Sequence, residues 1–192
     1  MKTLLAMLLF ASPLFAQDQA AAARAAAGCG PNEVKFTVKT DKTQHPMAQP
    51  EAGEAIVYVF GGEAIDLGGI VIGKDGATTR WGIDGSWVGA GYRNSYLFIY
   101  VAPGDHHLCA GRQAYSKPSA ALSFTAEAGK TYYFRTRSPH PRAEGHIDSP
   151  PETKLEPIDP AEGQLLISES PFTTFEPKKV KPAESDSDSD SD

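Results

Sequence analysis

In several stretches of the chain, side chains of two kinds alternate with a period of two. This spacing sets successive side chains on opposite faces of a strand. The pattern is sharpest in residues 94–112, NSYLFIYVAPGDHHLCAGR. Tyr96, Phe98 and Tyr100 share one face of residues 96–101, and Leu97, Ile99 and Val101 share the other. Both faces are apolar, which predicts a central strand covered on both sides. Pro103-Gly104 then breaks the run, proline fixing φ at a turn corner and glycine accepting a positive φ. A hairpin is predicted. On its return strand His106, Leu108 and Ala110 fall on one face, and His107, Cys109 and Gly111 on the other.

The same reading extends outward. Residues 33–38, EVKFTV, alternate as a half-buried strand, and residues 55–60, AIVYVF, form a near-continuous apolar run. Residues 39–53 read as a loop. The glycine-rich residues 61–91 hold several short strands, among them a tight hairpin over residues 80–88 with Asp84-Gly85 at its turn. Its two tryptophans, Trp81 and Trp87, read as packing residues. Strands follow at residues 120–126, 131–137 and 155–158, with the proline-rich residues 138–151 as an irregular loop. Asp159, Pro160 and Glu162 occupy the N-cap, N1 and N3 positions of a capping box. They open a short helix that Leu165, Leu166 and Ile167 press onto the sheet and Pro171 ends. Many short strands and little helix predict an all-β fold, an antiparallel β-sandwich with a short C-terminal helix.

The chain ends differ from this body. Met1-Lys2, an apolar stretch at residues 4–15 and the small Ala16 make a secretory signal peptide, residues 1–16, cut after Ala16. The stretch is too short to span a bilayer, so the mature chain is expected to carry no transmembrane segment. Residues 17–28 are an alanine-rich linker, 29–175 the sandwich domain, and 176–192 a Ser/Asp tail expected to be disordered. The formal net charge of −6 and the lack of a basic stripe argue against nucleic acid. The predicted address is exported, either periplasmic or extracellular.

Export decides how the two cysteines are read. In an oxidising compartment Cys29 and Cys109 are expected to pair, closing a loop of roughly 80 residues for about 4 kcal/mol of chain entropy. Two alternatives stand beside the disulfide. Ala26-Ala27-Gly28-Cys29 outlines a lipoprotein box that would place a lipid on Cys29, although it lacks the leucine. His107 and Cys109 share a strand face and could hold a metal.

Other chemistry is weaker. Residues 68–75, GGIVIGKD, copy a phosphate loop but place Asp75 where a Mg²⁺-binding hydroxyl belongs. Gly89-Ala90-Gly91 lacks the helix of a dinucleotide site. Ser95, Ser116 and Ser123 have no nucleophile elbow, and Glu54, Glu63, Asp66 and Asp84 show no paired-carboxylate pattern. His106, His107, His140 and His146 would suit zinc or copper if their loops converge, which makes a metal-binding envelope protein the alternative function. The leading expectation is a non-catalytic envelope binding or structural module with no cofactor. Its partner is an envelope protein or a glycan, met by an aromatic and basic face at Tyr133, Arg135 and Arg137.

Five stretches carry a resemblance: VYVF (57–60), IDGSWVG (83–89), YVAPGDHHLCAG (100–111), AEAGKTYYFRTR (126–137) and PAEGQLLI (160–167). Together they resemble a family of exported bacterial proteins built on a domain of unknown function. The chain also looks like the transthyretin-like or PEGA-like modules of bacterial envelopes. The resemblance covers roughly residues 29–170 and implies a sandwich fold and an envelope location. It brings no catalytic residues to carry over.

Overall fold

The computed structural model of the chain describes residues 29–62, 65–67, 70–72, 78–114, 120–137 and 154–178. The strands are β1 (Phe36–Asp41), β2 (Ala55–Phe60), β3 (Ile65–Leu67), β4 (Ile70–Ile72), β5 (Thr79–Ile83) and β6 (Ser86–Gly91). They continue as β7 (Tyr96–Val101), β8 (Gly104–Arg112), β9 (Ala120–Ala126), β10 (Thr131–Arg137) and β11 (Lys154–Pro157). One helix, α1 (Pro160–Glu169), precedes the last strand, β12 (Phe172–Pro177).

Two sheets make the body, a six-stranded one in the order β1-β12-β7-β2-β10-β11 and a four-stranded one in the order β6-β5-β8-β9. β3 and β4 form a separate ribbon. The core between the sheets takes alternate residues from each side. Ala55, Val57, Val59, Leu97, Val101 and Phe134 face Trp81, Ile83, Leu108, Ala110 and Ala126. The outer face of the larger sheet is aromatic (Tyr58, Phe60, Tyr96 and Tyr133), and Ile167 of α1 packs onto it. β2 is buried at every residue because one of these layers covers each of its faces.

The all-β sandwich with one short helix is therefore present. Within it two pairings run parallel: β10 against β2, and β12 against β7 at Tyr96. The larger sheet is mixed because the chain leaves it after β7, builds β8 and β9 of the smaller sheet, and returns at β10. The predicted hairpin at residues 94–112 is not formed. β7 pairs with β2 and β12, whereas β8 pairs with β5 and β9. Pro103-Gly104 is a corner at which the chain crosses from one sheet to the other. The two faces of β7 stay as read, Leu97 and Val101 inward and Tyr96 outward.

The Asp84-Gly85 hairpin is present, with φ of 50° at Asp84 and 81° at Gly85, the left-handed pair a type I′ turn requires. β1 begins at Phe36, later than the predicted strand, because residues 29–34 follow a separate path over the smaller sheet. There Cys29 is bonded to Cys109, with Cα atoms 5.7 Å apart. Gly82 lies directly beneath, where a Cβ would come within 2.5 Å of the Cys29 carbonyl oxygen and 2.9 Å of Cys109 Sγ. The Trp87 indole N–H donates to the Pro31 carbonyl at 2.9 Å. Arg80, fully buried over the Trp87 ring, donates to the carbonyls of Asn32 and Val34. At the other end, β12 runs to Pro177 opposite Phe36, so Glu176 and Pro177, expected in the tail, belong to the sandwich. The signal peptide, the linker and the Ser/Asp repeat lie outside the described residues.

Candidate functional site

Where the β5–β6 turn meets the corner between β7 and β8, the topology brings Asp84 and His106 together. His106 Nδ1 lies 2.7 Å from Asp84 Oδ2, and Nε2 lies 2.7 Å from the Ala102 carbonyl. Two acceptors on two ring nitrogens favour a doubly protonated ring, with both N–H groups donating. The other carboxylate oxygen, Oδ1, accepts the His107 backbone N–H at 2.8 Å. Burial by itself lowers the His106 pKa, but the Ala102 carbonyl and the Asp84 carboxylate outweigh it, and the net shift is upward. For Asp84, burial pushes upward and the His107 and His106 hydrogen bonds push downward more strongly, so its pKa is lowered. The imidazole also packs on Phe124, ring centroids 5.4 Å apart. The arrangement is an ion pair that ties a turn to a corner.

That geometry removes His106 as a metal ligand, since neither ring nitrogen offers a lone pair. His107 projects from the opposite face of β8, and Cys109 beside it is consumed by the disulfide. The suggested His107–Cys109 metal pair is thereby overturned. His140 and His146 lie outside the described residues. Among the described residues no cluster of three His, Cys, Asp or Glu side chains is placed to hold a metal. Ser95 is buried, donating to the Tyr92 carbonyl and accepting from Thr173, which makes it a packing residue. The phosphate-loop outline falls outside the described residues, apart from the short strand β4 within it.

The aromatic and basic face at Tyr133, Arg135 and Arg137 is also corrected. Tyr133 and Arg135 are each 8% exposed, because α1 and β11 cover them. Arg135 Nη1 binds Glu162 of α1 at 2.5 Å, and Nη2 binds Glu156 of β11 at 3.0 Å. Arg137 Nε shares Glu156 at 2.7 Å. What faces solvent is the neighbouring part of the sheet, where Phe98, Tyr100 and Phe172 are half-buried and packed ring on ring. The Tyr58 hydroxyl donates to Ala48 and the Tyr96 hydroxyl to Pro46, both at 3.1 Å, which pins residues 46–48 across this face. Burial pushes the Tyr58 pKa up to about 12, and Tyr96 is raised as well, so both hydroxyls keep the proton these bonds need. Met47, between the two anchors, is 52% exposed.

One functional-looking residue had no signal in the sequence. His45 Nδ1 sits 2.9 Å from the Ile167 carbonyl and 3.0 Å from that of Ser170, donating to the C-terminal end of α1. The helix has no basic residue in its last turn, and His45 supplies the missing donor from 122 residues away.

No family model, curated protein or solved structure matches the chain. Among the described residues, no helix is long and apolar enough to cross a membrane, which leaves β-barrels unaddressed.

Proposed function

We propose that the protein is an exported, disulfide-stapled β-sandwich module of a bacterial envelope, with a binding or structural role and no catalytic one. The observation that carries this is the bond between Cys29 and Cys109. A structural disulfide of this kind belongs to oxidising compartments, and it follows a residue 1–16 stretch with the make-up of a signal peptide. Among the described residues, the occupied state of the groups weighed for chemistry supports the non-catalytic part. His106 is paired with Asp84, Arg135 is held by two glutamates, and both cysteines are bonded. The partner in this reading is an envelope protein or a glycan that meets the half-exposed Phe98, Tyr100 and Phe172. The motif resemblance to exported domains of unknown function points the same way.

Intact mass of the exported protein, before and after reduction with thiol alkylation, tests the proposal. The expected result is a chain cut after Ala16 whose two cysteines alkylate only after reduction. Acyl chains on Cys29, or a chain retaining residues 1–16 with two free thiols, would overturn it.

A further inference from the structure

We propose that β9 is the self-association edge of this sandwich, pairing antiparallel with β9 of a second copy about Ser123. The inference goes beyond the export reading and does not depend on where the protein is delivered.

Open sheet edges are templates for strand addition, and proteins blunt them with charges, prolines, short length or cover. Three of the four edges are blunted in these ways. β1 carries Lys39 and Asp41. β11 has only four residues, KLEP, with Lys154, Glu156 and Pro157 among them. β6 is buried along most of its length, lying against β1 and β12. β9 differs. It is seven residues long, AALSFTA, without a charge, proline or glycine; β11 of the other sheet comes close to it, but among the described residues β9 hydrogen-bonds as a strand to β8 alone. Its inward side chains Leu122 and Phe124 belong to the inter-sheet core and yet stay half-exposed. One more strand added at this edge would cover what they leave exposed.

The strand's own pattern selects a second copy as that strand. An isologous contact must be self-complementary about a two-fold axis. Centred on Ser123, antiparallel pairing sets Leu122 against the partner copy's Phe124 on the inner face, and Ala121 against its Thr125 on the outer face. The terminal alanines, Ala120 and Ala126, meet each other. A two-fold axis brings any charge near it against its own mate, and β9 brings none. Of the carboxylates beside it, Glu127 lies just past the end of the strand, away from Ser123, and Asp105 lies one strand away on β8, already bonded by Thr125 Oγ1 at 2.6 Å.

Sedimentation equilibrium of the purified chain over a concentration series should show a monomer–dimer equilibrium. Hydrogen exchange at β9 amides should slow as concentration rises. The Ser123 side chain is exposed, so Ser123→Lys leaves the monomer's unfolding midpoint unchanged while raising the dimer Kd about tenfold or more. Ser123→Glu does the same alone, and an equimolar mixture of the two variants restores the dimer. The restored dimer distinguishes edge pairing from a folding defect in either variant. A wild-type chain monomeric at every concentration overturns the proposal, as does a dimer that both variants leave intact with β9 exchange unchanged.

Discussion

Asp84 and His106 hold each other in their charged forms, which makes the corner they tie sensitive to pH in a definite direction. His106 has a raised pKa, so its contribution is complete below its ordinary value of 6.5 and is lost as pH rises through the folded value. Asp84 has a lowered pKa, so its contribution is complete above its ordinary value of 3.8 and is lost as pH falls through the folded value. Both are in place between those two ordinary values. The Asp84 side chain is 41% exposed, and solvent screening keeps the pair to about 1 kcal/mol or less. Asp84→Asn keeps the left-handed turn, which asparagine tolerates, and removes the charge. In thermal unfolding across pH, this variant should lose the decline in stability above the ordinary histidine value; a decline as steep as wild type would assign it to another group. Gly163 sets two forces against each other at a single residue. Replacing a helical glycine by alanine favours the helix by about 1 kcal/mol. Here, however, the new Cβ would overlap the Tyr133 ring on which α1 rests. Gly163→Ala should therefore lower the unfolding midpoint, and a raised midpoint would mean that α1 shifts freely on the sheet.

At the scale of elements, α1 shows how a local signal is redirected by packing. Asp159 caps the helix as its sequence position predicts, accepting the backbone N–H groups of Ala161 and Glu162. Glu162, the expected reciprocal half of the capping box, turns instead to Arg135 on β10. Asp159→Ala should cost about 1 kcal/mol in denaturant unfolding. Glu156→Gln and Glu162→Gln should each cost less than about 1 kcal/mol, since both carboxylates are partly exposed and one remains to pair the cation. The double variant leaves a buried guanidinium without a counter-charge and should cost about 3 kcal/mol, well beyond additivity. A strictly additive cycle would show that the two glutamates act independently. The strands themselves were largely legible, because a period of two and the residues that break it are local properties. β2 begins and ends where its apolar run does, and β9 and β10 keep the bounds read from the sequence. Strand partners were not legible in the same way. Pro103-Gly104 serves a hairpin and an inter-sheet corner equally well, and nothing within residues 96–112 states which neighbour each strand will take.

At the scale of the whole molecule, the start of the sandwich at residues 29–34 is held by two independent means, the disulfide and the clamp of Arg80 and Trp87 on the carbonyls of Pro31, Asn32 and Val34. Replacing both cysteines by serine should therefore cost about 4 kcal/mol through the unfolded chain, while residues 30–34 stay docked. Hydrogen exchange should find Val34, whose N–H binds the Pro31 carbonyl at 3.3 Å, still protected; loss of that protection would make the disulfide the sole anchor. The sequence by itself determined the β-rich class, the turn at Asp84-Gly85 and the start of α1, and it made the pairing of Cys29 with Cys109 the leading expectation, which the structure carries. Each of these rests on adjacent residues or, for the cysteines, on there being only two. Tertiary structure alone decided the parallel pairings, the burial of Tyr133 and Arg135 under α1, the capping of α1 by His45 and the meeting of Asp84 with His106. These contacts join residues far apart in the chain, and their geometry exists only after the two sheets have packed and fixed which side of each strand is covered.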